Sequence, residues 1–370
     1  MARYAPKSVQ EAWDNHFGAF GAKSMEKILL DYTDESVISV FNATTQNKEV
    51  FKGAEGAKKF FEELWGVLKD YSTLKAPVND VDEKSRMVFL CWSCKGMGYE
   101  AVTDSFFFTP DFKILRQNIH VVTTPSCCPP NRCALLPPSD YKAKGKEGKL
   151  GKLNYYDVGT GEKGAVIVVP DVFGFQSGRH KGVCDELAGK GYYVIMPDFF
   201  HGSYFPKEPE KKMEFLKYWT PEKWQPDMDA VWSHLEKYPA AKIGMVGFCW
   251  GTWAIWHESA RNNKKFSCGV NFHPSVNIEI LQGRKIEDLA EKLLNPMLMA
   301  PCKGDHASLQ ENGASHEIMK KNSLGSEYIP FPSMNHGFVS QGDVSDKEIL
   351  TCVTKAMDSS YAFLEKHMKQ

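Results

Sequence analysis

The run Ile243-Gly-Met-Val-Gly247-Phe-Cys249-Trp-Gly251 carries the sharpest chemical signal in the chain: an apolar, strand-like stretch passes directly into Gly-x-Cys-x-Gly and then into a helical pattern. A thiol on so tight a bend stands clear of the backbone, and a glycine on either side gives the bend room. The helix behind it supplies unpaired amides and the positive end of a dipole, both of which favour a thiolate. Cys249 is therefore the candidate nucleophile, and it needs a base within hydrogen-bond reach and a carboxylate behind the base. Pro296 to Asp305 places a carboxylate just past a strand-like run, and Ser333-Met-Asn-His336-Gly-Phe338 places an imidazole in a later loop. His336 is the expected base; His306, which adjoins Asp305, and His273, which precedes it, compete for the role.

Attack on a carbonyl also requires amide donors for the oxyanion. The amide of Trp250, directly after the thiol, is one. The other is expected from the loop Val169-Pro-Asp171-Val172-Phe173-Gly174, at Val172. Phe173, Phe199, Tyr218 and Trp253 are candidate pocket residues, with ordinary core packing as the competing role. The scheme needs no metal and no organic cofactor. Cys91 and Cys94 form a CxxC without a second pair, so they are expected to be structural.

The elements that must position these groups follow from periodicity. From Leu153 onward, short apolar runs such as Ala165–Val169 and Tyr192–Met196 alternate with helical stretches at 177–190, 225–237, 252–261, 310–321 and 347–367. That rhythm predicts a doubly wound α/β sheet with its ligand site at the carboxyl ends of the strands. Residues 1–124 read differently. Ser8-Val-Gln-Glu11 opens a helix with a capping box, further helices end near Asp31-Tyr32 and span 56–69, and strands follow at 86–95, 99–108 and 113–122. This is an α+β pattern. Residues 125–152, rich in proline, cysteine and spaced lysines, are expected to connect it to the sheet domain at 153–370.

The strand, Gly-x-Cys-x-Gly and helix resemble the nucleophile elbow of the α/β-hydrolases, whose chain order of nucleophile, acid and histidine fits Cys249, Asp305 and His336. More specifically, Pro170-Asp-Val-Phe-Gly-Phe175, Gly191 to Gly202, Gly247 to Gly251, Phe272-His-Pro-Ser275 and His336-Gly-Phe338 are similar to the dienelactone hydrolase (carboxymethylenebutenolidase) family over about 127–370. The resemblance implies a Cys-His-Asp triad and an acidic residue in the first-strand loop that steers the thiol. That acid is usually Glu, and here it is Asp171. Bacterial members hold a substrate carboxylate with arginines, one of them just beyond the histidine. This chain has none there, and Trp250, Trp253, Trp256, Phe199, Phe200, Tyr218 and Trp219 point to an apolar or aromatic acyl or lactone group. The Cys127-Cys-Pro-Pro130 opening is similar to eukaryotic members and implies that part of the connector packs on the hydrolase domain. Leu29 to Asp34, Phe51 to Phe60 and Thr103 to Phe108 resemble the SnoaL-like, NTF2-like cone family, which implies a cup that Asp31, Tyr32, Asp104 and His120 would line, or a dimerisation module.

With 45 basic and 46 acidic side chains the net charge is -1, so no global field favours nucleic acid or an anionic membrane. The first residues carry no apolar core of a signal peptide, and a cytoplasmic protein with reduced thiols is expected. The expected activity is hydrolysis of a small ester, lactone or thioester. The alternative is a non-catalytic scaffold that retains a hydrolase fold and an NTF2-like docking module.

Overall fold

A computed structural model of the chain describes residues 4–124, 127, 132–136, 141–206, 208–238, 242–261 and 264–369. Two compact units emerge, Met1–Pro125 and Ser126–Gln370.

The first unit runs α1 (Val9–Gly21), α2 (Met25–Ile28), β1 (Tyr32–Asn42), β2 (Asn47–Lys52), α3 (Gly53–Val67), β3 (Leu74–Asp82), β4 (Met87–Cys94), β5 (Tyr99–Phe108) and β6 (Ile114–Thr123). Ser8 caps α1 by accepting from the Glu11 amide, while the Glu11 carboxylate accepts from the amide of Lys7, one residue ahead of the expected capping box. The sheet order is β2-β1-β6-β5-β4-β3. β1 lies parallel to β6, so the sheet is not the simple meander expected from the three later strands. β2 and β3 were not foreseen, because β3 is solvent-exposed along most of its length and carries no apolar alternation. Cys91 and Cys94 sit an odd number of residues apart on β4, which turns their thiols to opposite faces and rules out joint metal binding.

In the second unit come β7 (Lys146–Leu150), β8 (Leu153–Val158), β9 (Ala165–Val169), α4 (His180–Gly189), β10 (Tyr193–Pro197), α5 (Pro209–Tyr218), α6 (Pro221–Leu235), β11 (Ile243–Phe248), α7 (Trp250–Ala260), β12 (Phe266–Phe272), α8 (Ile278–Leu281), α9 (Ile286–Ala290), β13 (Met297–Ala300), β14 (Cys302–Lys303), α10 (Ala314–Lys321), β15 (Glu327–Tyr328), β16 (Phe331–Asn335), α11 (Phe338–Gln341) and α12 (Lys347–Met368). The large sheet has the order β15-β13-β12-β11-β9-β10-β8-β7. It is parallel from β15 to β10, with β8 and β7 added antiparallel at the edge. β7 occupies sequence read as connector: its lysines are those of a charged edge strand, a composition that hides it from a search for apolar runs.

Residues of β9 alternate between two cores: Ala165, Ile167 and Val169 face α6 and α7, whereas Val166 and Val168 face α4 and α12. Both faces are covered, which is why the central strands read as continuous apolar runs. Each buried Val, Ile or Phe contributes roughly 1.5–3 kcal/mol, so the central strands are rigid supports for the loops at their carboxyl ends. Among the described residues no helix is long and apolar enough to cross a membrane.

Candidate active site

β11 ends at Phe248, and Cys249 follows with φ 54° and ψ -114°, a left-handed conformation that a non-glycine residue adopts only under constraint. The Cys249 amide donates to the Phe272 carbonyl on β12, and the Cys249 carbonyl accepts from the amides of Thr252 and Ser275 and from the Thr252 hydroxyl. Glycine is required on both sides. A Cβ at Gly251 would lie 2.2 Å from the Val169 carbonyl oxygen, and one at Gly247 would lie 2.7 Å from Ile255 Cδ1. Cys249 is thereby fixed at the N-terminus of α7, where dipole and amides favour negative charge.

The structure brings His336 and Asp305 together behind it. His336 Nδ1 lies 2.6 Å from Asp305 Oδ1, and both side chains are buried. Burial alone would lower the pKa of His336. The negative charge of the Cys249 thiolate, the Asp305 carboxylate and hydrogen bonds to both outweigh it and raise the imidazole to about 10. Since a carboxylate only accepts, Nδ1 carries the proton and Nε2 faces the thiol side. The competing histidines are placed differently. Both ring nitrogens of His273 lack a hydrogen-bond partner among the described residues, and its ring stands edge-on to His336 with centroids 5.0 Å apart. Burial, with the neighbouring His336 charge, holds His273 neutral. His306 turns its Nδ1 to the Ser308 amide.

Cys302, Asp305 and His336 offer ligand atoms within 4.8 Å of one another. Their contacts form a hydrogen-bonded relay: the Cys302 amide and thiol donate to Asp305 Oδ2 at 2.9 and 3.4 Å, while Oδ1 takes His336. Burial and the adjacent carboxylate push the Cys302 thiol well above its ordinary range, so it remains a donor.

Trp250 and Val172 stand near the elbow by different routes. Trp250 is the first residue of α7. Val172 lies in the loop after β9, whose Val169 pairs with Gly247 of β11, so this loop abuts the elbow. Among the described residues neither amide donates a hydrogen bond. Asp171 Oδ2 accepts from Ser340 and Gln341 at 3.0 Å and lies 3.5 Å from His180, and its Oδ1 accepts from the Phe173 amide. The carboxylate thus ties the first-strand loop to the segment that follows His336, and it lines the same crevice as Cys249.

A narrow crevice at Cys249 is lined by Arg132, Cys133, Asp171, Phe173, His336, Gly337 and Gln341. Of the four aromatic residues proposed for the pocket, only Phe173 belongs to it. Phe199 and Trp253 are fully buried in the α6–α7 core, where the Trp253 indole bonds Glu279, and Tyr218 is 55% exposed. The aromatic rings of Phe199 and Trp253 mark core, not substrate surface. The residues that sequence reasoning missed come from the Pro/Cys-rich stretch. The Arg132 guanidinium packs 4.9 Å over the Phe173 ring, the Cys133 amide donates to the His336 carbonyl at 2.8 Å, and the Cys127 carbonyl lies 3.8 Å from Cys249 Sγ. Cys128, Pro129 and Pro130 lie outside the described residues.

The first unit contains a separate cavity, about 760 Å³ of unfilled space partly open to solvent, lined by Trp13, His16, Phe61, Trp92, Phe106 and Asp104 among others. Asp104 is held by the Trp92 indole and the Gln117 amide, both at 2.8 Å, and Gln117 in turn accepts from Tyr32 at 2.6 Å. Burial raises Asp104 to about 6 despite these donors. Asp31 lies 3.4 Å from His16 beside this network. His120, expected in the same group, is exposed on the opposite face of β6, beside Phe41.

The profile of the Dienelactone hydrolase family matches residues 155–367. A carboxymethylenebutenolidase homolog of Xenopus tropicalis is 30% identical over 221 residues, 57% of this chain and 85% of its own. That of Rattus norvegicus is 31% identical over 211 residues, 54% of this chain and 81% of its own. Among solved structures, a dienelactone hydrolase-like promiscuous phosphotriesterase from metagenomic libraries aligns with 61% of this chain and 98% of its own at 14% identity and a TM-score of 0.47.

Proposed function

Because the chain belongs to the dienelactone hydrolase family and is a hydrolase, we propose that it cleaves a small ester, lactone or thioester through Cys249, His336 and Asp305. The reading is carried by one observation, the buried His336–Asp305 contact of 2.6 Å behind a thiol on a left-handed bend. The Cys249 thiolate attacks the carbonyl carbon, and the amides of Trp250 and Val172 receive the oxyanion. The His336 imidazolium gives its Nε2 proton to the leaving alkoxide or thiolate as the carbon–heteroatom bond breaks, leaving a thioester on Cys249. Neutral His336 then takes a proton from water, whose oxygen attacks the thioester and releases acid and thiolate.

Acylation switches the base. While Cys249 is anionic, its charge holds His336 protonated. Once the sulfur is esterified that charge is gone, and burial favours the neutral imidazole that water activation requires. The test is mass analysis of the intact protein quenched during turnover of a p-nitrophenyl ester. An acyl adduct on the Cys249 peptide is expected. Turnover without any adduct on that cysteine, or no turnover across ester, lactone and thioester panels by folded protein, would refute the assignment, and the second outcome would favour the scaffold reading.

For residues 1–124 we infer a ligand cup of the SnoaL-like, NTF2-like kind, supported by the apolar cavity with its Asp104 floor. Titration calorimetry with 2-naphthol is expected to show binding that Asp104→Asn weakens about tenfold, the scale of one hydrogen bond to a charged group. Failure of the native chain to bind any such ring alcohol would contradict the inference.

A further inference from the structure

Ser275 stands in the loop after β12, fully buried, and its amide is anchored twice on the elbow, to the Cys249 carbonyl at 3.2 Å and to Thr252 Oγ1 at 3.0 Å. Its position is therefore tied to that of the nucleophile. The hydroxyl oxygen has three polar neighbours: the Cys127 carbonyl at 2.5 Å, Cys249 Sγ at 3.2 Å and His336 Nε2 at 3.5 Å. A hydroxyl has one proton to give. The carbonyl and a thiolate both need that proton, and they cannot both have it. The lone pairs of the hydroxyl face the imidazolium, which can only donate.

On the basis of the Cys-His-Asp reading, we propose that Ser275 is a fourth catalytic residue, whose hydroxyl donates to the Cys249 thiolate when the Cys127 carbonyl is displaced from it. In the structure the shorter contact is to Cys127, so the proton is drawn away from the sulfur. When the Cys127 carbonyl, 3.8 Å from the sulfur, gives way to a substrate group on Cys249, Ser275 turns its proton to the sulfur. Attack is thereby coupled to occupancy of the site. An idle thiolate has one donor fewer than a thiolate facing substrate, and that limits its reaction with stray electrophiles.

The experiment is the pH dependence of Cys249 acylation by p-nitrophenyl acetate in the full chain, read as the burst of p-nitrophenolate and followed on the Cys249 peptide by mass spectrometry, for the native protein, Ser275→Ala and Ser275→Thr. Native Cys249 is expected to be acylated well below the pH at which an ordinary thiol ionises. Removing the hydroxyl should slow acylation at neutral pH about tenfold, the scale of one charge-assisted hydrogen bond, with recovery at high pH, and threonine should restore the native profile. A merely structural Ser275 would lower the melting temperature of Ser275→Ala and leave its profile unmoved, and that result overturns the proposal. Should the alanine variant not fold, Ser275→Gly is compared with Ser275→Thr in the same way. If the native protein itself lacks the low-pH limb, the Cys-His pairing fails rather than the role of Ser275.

Discussion

Cys249→Ala is expected to lower kcat for ester hydrolysis by on the order of 10⁵-fold, because nucleophile, imidazole and carboxylate act as a unit and removing the attacking atom forfeits the whole covalent route. Cys249→Ser should rescue little. A serine hydroxyl at this position has the strained bend and the helix terminus, yet its ionisation lies far above that of a thiol, and the buried base cannot hold it charged. The two variants also report on the imidazole. His336 is raised to about 10 in part by the Cys249 charge, against burial, which lowers it. Without that charge its midpoint must move down, toward or below the ordinary value of about 6.5. Imidazole proton resonances followed across pH in Cys249→Ala check the sign. An unmoved His336, or a variant within tenfold of native activity, would mean that sulfur and imidazole do not share a proton.

The candidate site in this chain was legible where local backbone demands and residue type coincide. At Gly247 and Gly251, contacts with Ile255 and Val169 leave room for no Cβ, and the same pair of glycines brackets a cysteine that follows an apolar strand directly. His336 and Asp305 could be ordered along the chain because each ends a strand of a repetitive α/β layout. Ser275 stood within a noted motif, and its signal was positional: a polar residue at the carboxyl end of β12, the strand next to the elbow strand. Arg132 and Cys133 gave no such signal. They reach the crevice because main chain hydrogen bonds, such as that from the Cys133 amide to the His336 carbonyl, hold residues 132–136 against it. Such contacts leave no periodic trace. The aromatic residues misled for a related reason. Phe199 and Trp253 occur at the ends of elements that converge on the site, but their rings point into the core shared by α6 and α7.

Asp305→Asn is the subtler substitution and is expected to cost about 10³- to 10⁴-fold in kcat with little loss of fold, the effect being mainly one of tautomer. The His336 Nδ1 proton, the Cys302 amide and the Cys302 thiol all donate to Asp305. A carboxylate accepts from every side. An amide has one oxygen and one NH₂ group. If the oxygen faces His336, the NH₂ group meets the Cys302 amide, donor against donor. If the NH₂ group faces His336, it donates to Nδ1 and forces the ring proton onto Nε2, so that the base turns a filled nitrogen toward the thiol. The buried main chain of Cys302 cannot rotate away, which makes the second arrangement the one the site will adopt. Cys302→Ala keeps that amide and loses only the weaker thiol donor, so it should reduce kcat less than tenfold. The two variants together separate the reading from its rivals. Equal losses in both would place the effect in packing around Asp305, whereas a large loss in Asp305→Asn, with an unchanged melting temperature and a tautomer shift in the ¹⁵N resonances of His336, fits a carboxylate that sets the direction of proton transfer.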